Sequence, residues 1–316
     1  MISRSSSRAP LVWALVFAIL SIAGWRLVRA FNRTHEQAGL ARLVANAKTP
    51  RVVSLLPQAT DIVLSMGCGD HLVAVSNVDD APDAKTLPRV GDYQTIDWET
   101  ISALSPQWIV THYGPGRTPA GFLQRAGAVG AGQLNLQTET LDGSDKTTTI
   151  YDAIAELGKA CNESAKAAAA IASLHAKLKS VHDRVWADAP ISALIVIGPD
   201  GTTVAGKETF LSELLQTAGG VNAAAGLASR YPNVDREQII GMKPEVILQL
   251  MPSATPQVLS QAARFWSSYD DTPAVKHNRV VALTDWYMLL PGYHVGEIAE
   301  KFANALHPSM GKSKSN

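Results

Sequence analysis

The sequence predicts an α/β protein with two similar lobes, each built on a parallel sheet, joined by one long rigid helix and separated by a ligand cleft. The first observation is a repeat, because residues 97–110 read DWETISALSPQWIV and residues 235–248 read DREQIIGMKPEVIL. In both copies an Asp precedes a short amphipathic helix, a proline ends it and an apolar strand follows. Units repeated so far apart indicate two similar lobes, and two lobes form a cleft between them.

The acidic residues of the repeat also have a simpler explanation. Asp and Glu are common at a helix start, since acids there cap the helix and oppose its dipole. That explanation covers each copy alone, but not the isoleucine, proline and strand that follow at the same spacing in both copies. We therefore interpret the two copies as equivalent elements of two lobes.

The second observation is that strands alternate with helices, which is typical of a parallel sheet. In the first half, an apolar strand at 51–56 is broken by Pro57, and a helix follows at 59–66. The first copy of the repeat supplies a helix and the strand at 108–110, and the further elements of this half are strands at 72–75 and 133–136 and a helix at 122–128.

The third observation is the helical region between the two halves. A helix at 148–159 precedes a run at 164–186 that contains neither glycine nor proline. Apolar residues of this run recur on one helix face, namely Leu174, Leu178, Val181 and Val185. We expect a strut that permits only small closing motions.

The second half opens after Pro190 and repeats the alternation. The pair Gly219-Gly220 stops its first helix. The second copy of the repeat supplies a helix and the strand at 246–250, and the other predicted elements are strands at 193–197 and 279–283 and helices at 206–218 and 292–306.

Composition excludes several classes of function. The 316 residues give room for two domains with full cores. The 28 Lys and Arg residues balance 28 Asp and Glu residues, so no basic surface for nucleic acid is indicated. The sequence also lacks a Gly-x-Ser-x-Gly motif and a phosphate-binding loop. We therefore expect no catalytic residues and no enzyme.

An uncharged apolar run at 9–25 predicts a secretory signal or a short membrane anchor. Arginines flank the run on both sides, at Arg4, Arg8, Arg26, Arg29 and Arg33. These arginines leave its topology open, and the lack of a nearby cysteine argues against a lipoprotein anchor. We expect the segment to place the body outside the cytoplasm, either in the periplasm or tethered to the inner membrane.

The chain has two cysteines, Cys68 and Cys161, and each follows a predicted helix. In an exported protein such a pair favours a disulfide. The alternative is two buried thiols that act as small hydrophobic residues. The pair is too small and too widely spaced in sequence to indicate a zinc site.

Several motifs, in order along the chain, carry a resemblance to a known family. They are RVVSLLP at 51–57 with Thr60-Asp61, PRVGDY at 88–93, GKETF at 206–210, AGGVN at 218–222 and both copies of the repeat. Through them residues 50–307 resemble the substrate-binding proteins of ABC importers for vitamin B12, iron chelates and haem, and more narrowly the cobalamin-type members. The resemblance implies two Rossmann-like lobes joined by a long helix, with the ligand in the cleft.

The expected division of the chain follows from these observations. It comprises a signal or membrane anchor at 1–33, a tether at 34–49, an N-terminal α/β lobe at 50–160, a connecting helix at 161–188, a C-terminal α/β lobe at 189–309 and a disordered tail at 310–316.

The resemblance gives the repeated glutamates a role. In the family, one surface acid of each lobe docks onto arginines of the membrane permease, and Glu99 and Glu237 match those positions. A carboxylate at an exposed helix start suits charge-assisted contacts with arginine. The expected partner is an ABC importer permease dimer, and the protein itself is expected to be a monomer.

Ligand contacts are expected where strands end and loops face the opposite lobe. Tyr93 matches an aromatic ligand contact of the family. The other candidates are His112, Tyr113, Tyr231, Asp285, Trp286 and Tyr287. Aromatic faces suit a flat, largely apolar macrocycle, although any one of these residues could instead pack in the core.

The ligand is expected to be a small metal chelate, a corrinoid first, with haem or a ferric siderophore as alternatives. His112 could ligate cobalt or haem iron, or it could be a hydrogen-bonded structural residue. Thr203 stands where cobalamin-type members carry an aromatic residue, and Arg117 and Arg230 are candidates to bind an acidic chelate. We expect no intrinsic cofactor and no resident metal. A membrane-tethered sensor that has lost its transporter is a third alternative.

Overall fold

The computed structural model of the protein describes residues 49–92, 95–112, 121–136, 138 and 149–308. The predicted anchor at 9–25, the tail from 310 and the candidates Tyr93, Tyr113 and Arg117 lie outside the described residues. Within the described ranges, no helix combines the length and the apolar content that a membrane span requires.

The first lobe is built on a parallel sheet in the order β2-β1-β3-β4. These strands are β1 (Val52–Ser54), β2 (Leu72–Val75), β3 (Trp108–Thr111) and β4 (Gly132–Asn135). Every residue of β1 and β3 is buried, as expected for central strands covered on both faces. The parallel α/β lobe predicted from the alternation is therefore confirmed.

The helices of the first lobe lie between and after these strands. They are α1 (Pro57–Ser65), α2 (Trp98–Leu104), α3 (Phe122–Ala128) and α4 (Ile150–Ala160). Pro57 does not merely break the strand before it, because it is the first residue of α1. Its fixed φ suits the helix, and its missing N–H is not needed at that position.

Helix α5 (Ser164–Val185) joins the lobes and has 22 residues. It packs against α4 of the first lobe and against the last helix of the second. The apolar face predicted from the sequence is buried, and Ala167 and Ala170 extend it. At 1.5 Å per residue the helix is about 33 Å long, which makes it a strut rather than a flexible link.

The second lobe is built on a five-stranded sheet. Its strands are β5 (Ile191–Ile197), β6 (Thr203–Val204), β7 (Gly220–Asn222), β8 (Val246–Leu250) and β9 (Val280–Leu283). Strand β5 pairs in parallel with β7 and β8, and β9 pairs in parallel with β8. The short β6 is antiparallel to β5, so this sheet departs from a purely parallel one at one edge.

Five helices surround the second sheet in the described chain: α6 (Phe210–Thr217), α7 (Arg236–Met242), α8 (Pro256–Trp266), α9 (Pro273–Lys276) and α10 (Val295–Leu306). The sequence analysis did not predict α8, although Thr255 caps it and Pro256 begins it. That pair of residues is a standard start signal.

The two copies of the repeat have the same local structure. The Asp97 carboxylate accepts from the backbone N–H of Thr100 at 3.0 Å, and the Asp235 carboxylate accepts from that of Gln238 at 2.8 Å. The helices end at left-handed residues, Ser105 and Lys243, with φ of 45° and 49°. The proline of each copy therefore follows the helix end rather than causing it.

The sequence left two interpretations of the cysteine pair open, a disulfide or two buried thiols. In the structure Cys68 and Cys161 are both buried and both free thiols. Burial, with a smaller contribution from the nearby charge of Cys68, raises the pKa of Cys161 to about 12. Such thiols pack as small apolar groups, and a disulfide between these neighbours stays a prediction for the oxidised protein.

A buried amide holds the core of the second lobe together. The Gln249 side chain accepts from Trp266 Nε1 at 2.8 Å and donates to the carbonyl oxygen of Gly198 at 2.9 Å. It thereby links β8 to α8 and to the end of β5. Since Gln249 and Trp266 are buried and Gly198 is half-buried, loss of the amide would leave a buried donor and a half-buried acceptor without their partner.

Replacing this amide by an apolar side chain of similar size should destabilise the second lobe. For Gln249→Met we expect the free energy of unfolding to fall by about 1–3 kcal/mol, the cost of stranding buried polar groups. Urea denaturation followed by tryptophan fluorescence measures it. The control Gln261→Met, at an exposed position of α8, should change it by less than about 0.5 kcal/mol. Equal stability of the two variants would contradict this account.

Candidate functional site

A cavity of about 450 Å³ lies between the two lobes. Its lining comprises Gln58, His112 and Thr138 from the first lobe, Glu208, Phe210, Arg230 and Tyr231 from the second, and Leu289 and Pro291 from the segment before α10. Strands β1 and β3 end at this cavity, in agreement with the rule that ligands bind beyond the carboxyl ends of parallel strands.

A second cavity of about 450 Å³ lies within the second lobe, against α8 and strands β8 and β9. Its described lining is mostly apolar and includes Leu259, Trp266 and Val280. Ligand sites combine apolar walls with a few convergent polar groups. The cavity between the lobes has those groups and draws them from both lobes, so we take it as the candidate site.

The first lobe contributes polar side chains to the site. His112 directly follows β3, and Gln58 is the second residue of α1. Thr138 is only 2% exposed, and its Oγ1 lacks a hydrogen-bond partner among the described residues. An unpaired buried hydroxyl costs about 1–3 kcal/mol, and a polar group of a ligand could satisfy it.

The second lobe contributes a loop that is clamped in place. Gly206 donates its N–H to the carbonyl oxygen of Arg230 at 2.7 Å. A Cβ atom at Gly206 would collide with the carbonyl oxygen of Ser229, so this close approach requires glycine. Thr209 donates to Gly206 O at 3.0 Å and caps α6 by accepting from Ser212 N at 3.1 Å. The clamp places the side chains that follow Gly206 and Ser229 on one wall of the cavity.

Three of the candidates predicted from the sequence, His112, Tyr231 and Arg230, line the cavity. Tyr231 is 45% exposed, as expected for an aromatic side chain at an open site. Thr203 stands where the resemblance implies an aromatic residue. Its Oγ1 donates to Asn233 Oδ1 at 2.8 Å.

The other described candidates, Asp285, Trp286 and Tyr287, do not line this cavity. Asp285 forms an ion pair of 2.9 Å with Lys301. Trp286 packs against a small apolar cluster of the first lobe that includes Val75 and Ala81. Trp286 therefore joins the two lobes, whereas the ion pair of Asp285 stays within the second lobe. The described lining of the cavity begins just beyond these residues, at Leu289.

Asp61 and His294 form a buried ion pair between α1 and the start of α10. The Asp61 side chain is 1% exposed, and one of its oxygens contacts His294 Nδ1 while the other accepts from His294 N at 3.2 Å. Gly292 lies so close to the carboxylate that a side chain there would collide with it. The ring of Tyr287 stacks on His294 with centroids 4.4 Å apart.

The surroundings of His294 favour its protonated form. Burial alone would lower its pKa, but the hydrogen bond and the charge of Asp61, with smaller contributions from Glu297 and Asp285, raise it. Burial, with the negative charges nearby, also raises the pKa of Tyr287 to about 12. The Tyr287 hydroxyl is therefore neutral beside a charged pair.

Glu99 and Glu237 occupy matching positions on the surface. Each is the second residue of its helix, α2 or α7, and each is exposed. The caps beside them are formed by Asp97 and Asp235, which accept from Thr100 N at 3.0 Å and from Gln238 N at 2.8 Å. The hydrogen bonds from Thr100 lower the pKa of Asp97. The arrangement presents one carboxylate from each lobe to solvent.

Sequence reasoning missed several lining residues. Glu208 and Phe210 belong to the GKETF motif, which supported the resemblance, but neither was proposed as a contact. Gln58 lies between two residues of the first motif. Nothing in the local sequence marks Leu289 or Pro291, whose place depends on the contact of His294 with the first lobe.

The Asp61–His294 pair predicts a stability that depends on pH. Because the pKa of His294 is raised in the folded state, the stabilisation is fully present below the unfolded value of about 6.5. It is lost as pH rises through the raised folded value. Below pH 6.5, His294→Ala should lower the free energy of unfolding by about 3 kcal/mol, because it leaves the Asp61 carboxylate buried and unpaired.

Urea denaturation between pH 5.5 and 9 measures this effect, with the difference between wild type and His294→Ala shrinking as pH rises. The control His277→Ala removes an exposed histidine, and its free energy of unfolding should depend on pH as that of the wild type does. A difference between wild type and His294→Ala that is constant with pH would show that the pair contributes packing only.

Comparisons with known proteins agree with this geometry. A family model described as "Periplasmic binding protein" matches residues 52–287. The vitamin B12-binding protein of Vibrio campbellii (strain ATCC BAA-1116) is 31% identical over 245 residues, which cover 77% of this chain and 84% of that protein.

Solved structures share the fold. The periplasmic vitamin B12 binding protein BtuF of Vibrio cholerae is similar with a TM-score of 0.67 and 26% identity, over 84% of this chain and 99% of that chain. The periplasmic heme-binding protein RhuT from Roseiflexus sp. RS-1 is similar with a TM-score of 0.68 and 24% identity, over 83% and 99%. These similarities confirm the fold of two lobes and a connecting helix.

Proposed function

This chain belongs to the periplasmic binding protein family, and we propose that it captures a corrinoid in the cavity between its lobes and delivers it to an ABC importer. The single observation that carries the proposal is that cavity, which is walled by both lobes in a chain 31% identical to a vitamin B12-binding protein. The family places the protein outside the cytoplasm. Tethering of the body by residues 9–25 is a finer part of the same proposal.

The chemistry of the cavity suits a large ring with a polar edge. Phe210 and Tyr231 offer aromatic faces for stacking, while Gln58 and Thr138 offer neutral polar groups to amide substituents. Tyr93 and Tyr113 stay proposed contacts outside the described residues. We assign Asp285, Trp286 and Tyr287 an indirect role, because they hold the segment that completes the cavity wall.

Binding and release require only a small change in shape. Helix α5 spans both lobes, and the Asp61–His294 pair ties the first lobe to the start of α10. A cavity held open by such contacts loses little conformational entropy when a ligand binds. The proposed role is therefore capture and delivery, with no chemical step.

Haem or a ferric siderophore is the second candidate ligand. The observation that favours haem is that His112 and Tyr231 line the same cavity, since His and Tyr are both ligands of haem iron in proteins. Within the described residues, no three His, Cys, Asp or Glu side chains cluster as a resident metal ion would require. The metal in this proposal is that of the transported chelate.

Docking to the permease is assigned to Glu99 and Glu237. Their matching exposure on α2 and α7 would place one carboxylate of each lobe against each half of a permease dimer. Exposed carboxylates at helix starts make charge-assisted contacts with arginine and steer the encounter of the two proteins. A sensor without a transporter would not need this pair.

The ligand is tested by calorimetric titration of the full-length protein in detergent with cyanocobalamin and, separately, haemin. We expect binding of one cyanocobalamin per chain, weakened about tenfold in Tyr231→Ala, since an aromatic contact contributes about 0.5–1.5 kcal/mol beyond its buried area. Tyr231→Phe is the matched control, because it keeps the ring and should bind almost as well as wild type. Binding of haemin alone, with a Soret band lost in His112→Ala, would favour the second candidate.

The docking role is tested by transport in proteoliposomes that contain the permease. Glu99→Ala combined with Glu237→Ala should abolish uptake while leaving the affinity for cyanocobalamin unchanged. The control pairs Asp83→Ala with Asp271→Ala, which removes one exposed acid from each lobe and should leave uptake intact. Loss of ligand affinity in the glutamate variant would contradict the assignment.

A further inference from the structure

The two charged side chains among the described lining residues, Glu208 and Arg230, both belong to the second lobe. The first lobe faces them with Gln58, Thr138 and the imidazole of His112. The charges therefore act on one edge of any ligand that fills the cavity. The free energy of binding should therefore differ between a ligand with neutral substituents on that edge and a ligand with acidic ones.

Glu208 is held in an unusual backbone conformation. Its φ is 59°, in the left-handed region, where glycine is the relaxed residue and side chains are strained. The clamp at Gly206 and the cap at Thr209 fix the loop on both sides. Strain of this kind concentrates at functional sites, where it holds a side chain in a required place.

The Glu208 carboxylate keeps capacity to accept hydrogen bonds from a ligand. Lys207 Nζ lies 3.6 Å from its Oε1, and both side chains are more than half exposed. An exposed pair at this distance is weak. A carboxylate can accept at both oxygens, with about four lone-pair sites, so this single contact does not occupy it.

We propose, on the basis of the function proposed above, that Glu208 is a specificity-determining residue that selects macrocycles with neutral carboxamide edges and rejects those with carboxylate edges. A corrinoid carries carboxamide N–H groups, which can donate charge-assisted hydrogen bonds to Glu208. Haem carries propionates and many ferric siderophores are anionic, so each would place like charge beside Glu208. Rejection by repulsion is an established route to specificity.

Neutralising Glu208 changes the binding of the two kinds of ligand in opposite directions. A carboxamide ligand loses a charge-assisted acceptor, and a carboxylate ligand loses the like charge that repelled it. The same substitution should therefore weaken the binding of a carboxamide ligand and strengthen that of a carboxylate ligand.

The test compares dissociation constants of cyanocobalamin and haemin for full-length wild type, Glu208→Gln and Glu208→Gly, by calorimetry and absorbance. In both variants we expect cyanocobalamin to bind about tenfold more weakly and haemin about tenfold more tightly. The ratio of the two dissociation constants should then change by about 100-fold. Glu208→Gly should also raise Tm, because it relieves the left-handed strain, so damage to the fold cannot imitate the result. Lys207→Gln, which removes the neighbouring charge, should leave the ratio unchanged.

The outcomes separate this proposal from the function on which it rests. A wild-type protein that binds cyanocobalamin, with a ratio unchanged within twofold in Glu208→Gln, would overturn the role of Glu208 alone. A wild type that binds haemin but not cyanocobalamin would overturn both. A ratio shifted equally by Lys207→Gln would also overturn it, because the effect would then belong to general surface charge.

Discussion

The burial of the Asp61 carboxylate against His294 is the contact on which the cavity depends. A carboxylate that is 1% exposed must be paired, since an isolated buried charge is strongly unfavourable. His294 supplies a ring nitrogen and a backbone N–H, and that pairing fixes the segment before α10. The segment then presents Leu289 and Pro291 to the cavity and Trp286 to the first lobe. One ion pair therefore positions both a wall of the cavity and a contact between the lobes.

The strut and the ion pair act together on binding. Helix α5 sets the distance between the lobes, and the contact of α1 with the start of α10 limits their relative rotation. A cavity fixed in this way avoids part of the ordering cost that a mobile site would incur on binding. The structure thus favours a receptor that is already shaped for its ligand, with small adjustments at loops that end the strands.

The lobes share a plan but differ in chemistry. Their surfaces present matching carboxylates from equivalent helices, Glu99 and Glu237, while the cavity between them is asymmetric, with charge on the second lobe only among its described lining residues. Symmetry suits a partner with two equivalent halves, and asymmetry suits a ligand whose edges differ. In the proposed function, the matching glutamates of the repeat would face the permease, and the asymmetric cavity would bind the chelate.

The sequence by itself determined the elements whose signals are local. The repeat, the alternation of strands with helices and the apolar face of α5 follow from periodicity and capping, which neighbouring residues decide. Only the tertiary structure decided that Asp61 pairs with His294, 233 positions away, and that Trp286 packs between lobes rather than in the cavity. Whether a half-buried aromatic or charged side chain meets a ligand or a distant segment depends on what the fold brings opposite it, and no local pattern records that.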